Sequence, residues 1–201
     1  PGTVTTGPVY FPRTHLGLPC TDIGYLAFQN YINITSVVMP KGYKTIADGA
    51  FYQCYGLTSV VLSETLESLG VSAFLKCNQV TSITLPNTLT TMGAYAFYQC
   101  TGLASVTLST ALTAVPDFAF QQCSLTSVSI PNSVTSIGES AFTSNTSMTS
   151  LTVGTGLQTI GVNAFFSCIN LTADVELPAS MTSIGAQAFA GAGFSTFIIH
   201  A

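Results

Sequence analysis

Cysteine supplies the most reactive side chains in this 201-residue sequence, and five of the six keep step. Cys54, Cys77, Cys100 and Cys123 follow one another at 23-residue intervals, and Cys168 holds the equivalent place two intervals later, with Asn145 between. A column of thiols could serve a metal or disulfides. Neither fits here. No Cys-x-x-Cys pair or neighbouring histidine offers a zinc set, and equivalent positions of stacked repeats point their Cβ vectors side by side, which is poor disulfide geometry. Small buried thiols packing a turn are the expectation. His15 and His200 stand near opposite ends of the chain, and Asp174 and Glu176, on one strand face, read as a solvated pair. No nucleophile, base and orienting acid can be assembled, so the sequence predicts no enzyme, no cofactor and no metal.

Three Asn-x-Ser/Thr triplets are candidates for N-glycosylation: Asn33-Ile-Thr, Asn145-Thr-Ser and Asn170-Leu-Thr. Exposed turns of a secreted eukaryotic chain are where such glycans fit. Asn33 and Asn170 share the last position of their repeats, in the turn before a strand. Asn145 lies two positions earlier.

The element that must position all of these is a repeat. An Ala-Phe pair recurs at Phe28, Phe51, Phe74, Phe97, Phe120, Phe142, Phe165 and Phe189, at steps of 23, 23, 23, 23, 22, 23 and 24 residues by subtraction. A fixed period of this size predicts a solenoid, in which each coil buries its apolar face only against its neighbours. Each coil opens with alternation, as in Leu57, Val60 and Leu62, which predicts a short strand. Proline often follows at a corner (Pro40, Pro86, Pro131, Pro178), then a second apolar pair such as Leu89 and Met92. Gly24, Gly70, Gly93, Gly138, Gly161 and Gly185 mark a bend that either needs positive φ or brings backbones close. The segment x-x-Ala-Phe-x-x-Cys reads as about one turn of helix, with Asp48, Asp117 and Glu139 at its start, where free N–H groups favour negative charge. The fold predicted is mainly β with short helical turns, a solenoid of about eight 23-residue coils. Residues 1–15 form an amino-terminal arm or cap, and 16–201 form one domain. Lys41 and Lys44 fall one period before Glu64 and Glu67, as opposite charges on adjacent coils would.

Charged residues are only 6% of the chain and the net charge is −4. Four strong cations cannot form the basic surface that phosphate backbones need, which argues against nucleic acid. Mean hydropathy is +0.51, but the apolarity is periodic and no run suits a membrane span. The start at Pro1, without Met, is expected of a processed form or an excerpt, and both fit an extracellular, secreted or cell-surface location.

The phrase L-x-x-I/V-x-L-P-x-x-L-x-x-I-G-x-x-A-F-x-x-C, present from about Leu16 to Ile199, resembles the leucine-rich repeat of the Treponema pallidum, or BspA-like, type. That resemblance implies a parallel sheet along one face and membership among surface or secreted proteins associated with adhesion. The residues themselves suggest two surfaces. The outward strand positions Val38, Val61, Thr84, Thr107, Ser129, Thr152 and Glu176, beside a row of serines, form an uncharged hydroxyl and methyl array. Phe194, Phe197, Ile198 and Ile199 repeat an opening strand as the chain ends, an apolar edge suited to head-to-tail contact with another copy. The function expected is a non-enzymatic extracellular structural or interaction protein that self-assembles into a filament. A cell-surface adhesin binding host protein or carbohydrate through the strand face is the alternative, and ice binding a distant third.

Overall fold

The computed structural model describes residues 7–194 and 196–200. The chain winds in about eight coils, and each coil adds one rung to a parallel stack. Opening strands pair in sequence order. Gly7–Tyr10 joins Ile34–Val38, which joins Ser59–Val61; Ser82–Thr84 joins Ser105–Thr107; Ser127–Ser129 joins Ser150–Thr152; and Val175–Leu177 joins Phe197–Ile199. Two-residue strands after the corner form a second face, from Asp22–Ile23 through Thr91–Met92 and from Ala114–Val115 through Ser183–Ile184.

The third face departs from expectation. Among the described residues there is no helix. In every coil the residues two before and two after the phenylalanine have left-handed φ, as at Tyr95 (59°) and Gln99 (56°) around Phe97. An α-helix needs consecutive right-handed residues, so one left-handed residue every four positions forbids it. The freed N–H groups turn to the next coil instead: Ser72, Phe74 and Lys76 donate to the carbonyls of Ala94, Ala96 and Tyr98 at 2.9, 2.8 and 2.8 Å. The turns are therefore a third ladder of hydrogen bonds between coils. The acids serve it from a different position than helix starts would require. Asp48 Oδ1 accepts from the Val71 N–H, and Asp117 Oδ1 from the Glu139 N–H, each at 2.7 Å and each on the following coil.

This geometry puts the eight phenylalanines in one column. Adjacent rings stack with centroids 5.0 to 5.4 Å apart and planes within 8°. The six inner rings are at most 1% exposed. Phe11 stands edge-on to Phe28 at 5.6 Å, and Phe194 stands edge-on to Phe189 at the same distance. The chain just after the first strand is held by Tyr43, whose hydroxyl donates to the Pro12 carbonyl at 2.8 Å. Burial, then the neighbouring Cys20, pushes the Tyr43 phenol up to about 12, so it stays a donor.

The glycine ladder is a matter of close approach rather than of positive φ. A Cβ on Gly70, Gly93, Gly138, Gly161 or Gly185 would lie within 2.6 Å of main-chain atoms of the preceding coil, whereas at Gly24, in the first coil, nothing lies within 4 Å. Gly93→Ala is expected to lower stability by about 1–3 kcal/mol, the usual cost of overpacking, while Gly24→Ala leaves the denaturant midpoint unchanged or higher. Equal effects at both sites would contradict the close stacking.

Hydroxyls do more than face water. Thr58, Thr126, Thr149 and Thr182 each donate to a carbonyl of the preceding coil. Of the two charge pairs expected, Lys44 and Glu67 meet at 2.9 Å with both side chains 55% exposed. Such a pair adds only about 0–1 kcal/mol. Lys41 and Glu64 do not come within ion-pair distance of each other.

Candidate functional site: the strand face and its corner

Alternation fixes which strand residues reach solvent. Val37, Ile83, Val128, Leu151 and Val175 point into the core, and their neighbours point out. Cross-strand register aligns the outward residues in one row: Tyr10 beside Val38, Val38 beside Val61, Thr84 beside Thr107, Ser129 beside Thr152, and Glu176 beside Ile198. The row is graded along the stack. It begins with apolar side chains, Tyr10 (77% exposed), Val38 (44%) and Val61 (52%). Exposed hydroxyls follow at Thr84, Thr107, Ser129 and Thr152. Glu176 follows, with His200 Nε2 at 3.4 Å from its carboxylate, and half-buried Ile198 lies beside it on the last strand.

Two shallow hollows lie where this face meets the corner. One, of about 470 Å³, is lined by Thr110, Ser129, Ile130, Pro131, Asn132, Ser133, Thr152, Val153 and Gly154. The other, of about 240 Å³, is lined by Leu151, Thr152, Val153, Asp174 and Glu176. They share Thr152 and Val153. Alternation puts the acids and the hydroxyls on one face, and Thr152, Asp174 and Glu176 border a common depression there.

The cysteine column is buried, and its part is more specific than filling space. Sγ of Cys54, Cys77, Cys100, Cys123 and Cys168 donates to the carbonyl of Phe28, Phe51, Phe74, Phe97 and Phe142, one coil earlier, at 3.0 to 3.3 Å. Burial pushes the Cys100 thiol up to about 12 and that of Cys168 to about 11, and raises Cys77 and Cys123 as well. A neutral thiol is the form that donates. Among the described residues no group of three or more His, Cys, Asp or Glu could hold a metal ion.

Of the glycosylation candidates, Asn33 and Asn170 sit in turns with accessible side chains, and Asn170 Nδ2 donates to the Thr146 carbonyl at 2.8 Å. Asn145 is a correction. It is 0% exposed, and its amide takes the place of the missing thiol, donating to the carbonyls of Phe120 and Phe142 at 2.8 Å while its Oδ1 accepts from the Leu125 N–H at 3.1 Å. A side chain bonded in this way cannot carry a glycan in the folded chain.

At the carboxyl end Phe194 is half-buried against Phe189, Ile198 is half-buried and Ile199 is 56% exposed. Pro1 to Thr6 of the arm and the side chain of Phe197 lie outside the described residues. No helix is long and apolar enough to cross a membrane among the residues described.

The sequence matches the BspA type leucine rich repeat region over residues 21–149 and 136–201. No curated protein matches it. Among solved structures it is similar to a leucine rich repeat protein of T. pallidum, at 26% identity over 84% of this chain and 79% of that one, with a TM-score of 0.78. A leucine rich cell surface protein from Faecalibacterium prausnitzii shares the fold at 18% identity, covering 98% of this chain and 88% of that chain, with a TM-score of 0.55. The pneumococcal vaccine antigen PcpA does so at 16% identity, covering 96% and 72%, with the same TM-score.

Proposed function

Because the chain belongs to the BspA type leucine rich repeat family, we propose that it is a non-enzymatic interaction protein, working outside the cell and presenting its strand face to a surface protein or glycan. One observation carries this reading. The outward row from Tyr10 to Thr152 is exposed and in register, and it bears no charge. A flat uncharged row of this kind binds by shape, methyl contact and hydroxyl hydrogen bonds, with little desolvation of ions to offset. Beads coated with the chain are expected to adhere to cultured cells, and Thr84→Lys with Thr107→Lys to abolish adherence without moving the melting temperature. Adherence that survives both lysines would sink the strand-face reading.

A second reading is head-to-tail assembly into a filament whose two ends differ in charge and meet through the apolar strand at the carboxyl end. In a solenoid, order along the chain is order along the rod. All four strong cations, Arg13, Lys41, Lys44 and Lys76, lie in the first 76 residues with four acids, a balance of zero; the remainder holds Asp117, Glu139, Asp174 and Glu176 alone, a balance of −4. Among the described residues the terminal strands Gly7–Tyr10 and Phe197–Ile199 each pair on one side only. Sedimentation at increasing concentration decides this reading: polymers whose mass grows with concentration support it, and a monomer throughout removes it.

A further inference from the structure

We propose that the two adjoining hollows at the strand-face corner form one binding site for a short neutral glycan. The inference rests on the strand face being an interaction surface, and it names the ligand class and the place. The larger hollow lies at Gly154. The equivalent corners of other coils carry Pro40, Ser63, Pro86, Ser109, Pro131 and Pro178; at 154 a Cβ would sit 2.6 Å from the Pro131 carbonyl carbon and oxygen, so the position has no side chain, and Gly154 and Pro131 both line the larger hollow. Its lining combines apolar Ile130, Pro131 and Val153 with hydroxyl and amide side chains.

A pyranose has the matching character, with C–H faces that lie on apolar surface and a fringe of hydroxyls that both donate and accept. Asn132 already uses Oδ1 to accept from the Thr155 N–H at 2.9 Å, which leaves its Nδ2 to donate. Past the shared Thr152 and Val153, the smaller hollow offers the carboxylates of Asp174 and Glu176 as acceptors for further sugar hydroxyls. Acidic sugars are disfavoured there, because both carboxylates and the net charge of −4 repel them.

Saturation-transfer NMR on the whole chain tests this with lactose, N-acetylglucosamine, chitobiose and sialyllactose as probes. Saturable binding of at least one neutral probe is expected, with sialyllactose weaker than lactose. Thr152→Tyr, which fills the shared point, and Ser129→Tyr, which fills the larger hollow, should each weaken binding by about tenfold or more, with thermal melting confirming that each variant is folded. If no neutral probe saturates, or if both tyrosine variants bind as the parent does, the site is refuted. Bead adherence lost with Thr84→Lys and Thr107→Lys but unchanged by Thr152→Tyr would keep the strand face as an interaction surface while refuting this glycan site.

Discussion

Phe97→Ala is expected to cost about 3–5 kcal/mol of folding stability, read as a fall in denaturant midpoint without a change in slope. The ring is 1% exposed and lies between Phe74 at 5.4 Å and Phe120 at 5.3 Å. Its removal strips one face from each neighbour and opens a gap that the coils cannot close, because three hydrogen-bonded ladders hold their spacing. The end rings give the comparison: Phe28 and Phe189 are only partly buried and each stacks on one neighbour in the column, so alanine there should cost roughly half as much. A flat profile along the column would mean that stacking contributes little.

Asn145→Ala is expected to cost about 2–6 kcal/mol: of its three backbone partners the Phe142 carbonyl keeps the Asn145 N–H, while the Phe120 carbonyl and the Leu125 N–H lose the side chain's bond at about 1–3 kcal/mol each. The reason lies one coil earlier. Cysteine and the next opening residue are normally three apart, and that residue donates to the cysteine carbonyl, as Leu103 does to Cys100 at 2.9 Å and Met148 to Asn145 at 3.1 Å. Between Cys123 and Leu125 one residue is missing, the origin of the single 22-residue step, and the Leu125 N–H turns to Asn145 Oδ1 instead. The shortened turn and the lone asparagine in the thiol column therefore compensate each other. Asn145→Cys alone should keep the donation to Phe120 yet lose about 1–3 kcal/mol from the stranded N–H. Inserting a glycine between Ser124 and Leu125 in that background should recover most of the loss. Additive effects of the two changes, measured as a double-mutant cycle, would contradict the coupling.

The stack, the inward phenylalanines and the outward strand row were all legible in the sequence, because a 23-residue period and strict alternation each have one physical reading. The turns were not. Phe and Cys three apart look like one side of a helix, and the left-handed residues on either side of the phenylalanine, among them Leu26, Ser72, Tyr95 and Phe118, have no compositional mark, since glycine fills only two of those sixteen places, at Gly49 and Gly191. Burial of Asn145 was within reach: it occupies the cysteine position, and the preceding turn is short. The larger hollow was out of reach, because it involves how Gly154 seats against Pro131.

One consequence of the shortened turn concerns how this rod can lengthen. Coils that carry the full turn and a thiol present the same donors and acceptors above and below, so duplicating residues 80–102 would add a rung whose joints match both neighbours. Duplicating 125–147 would set a second asparagine over a full-length linker that already satisfies itself, and removing 125–147 would leave the Leu125 surrogate without its acceptor. The junction from Cys123 to Asn145 is a keyed splice, and growth or loss of whole copies is confined to the segments on either side of it.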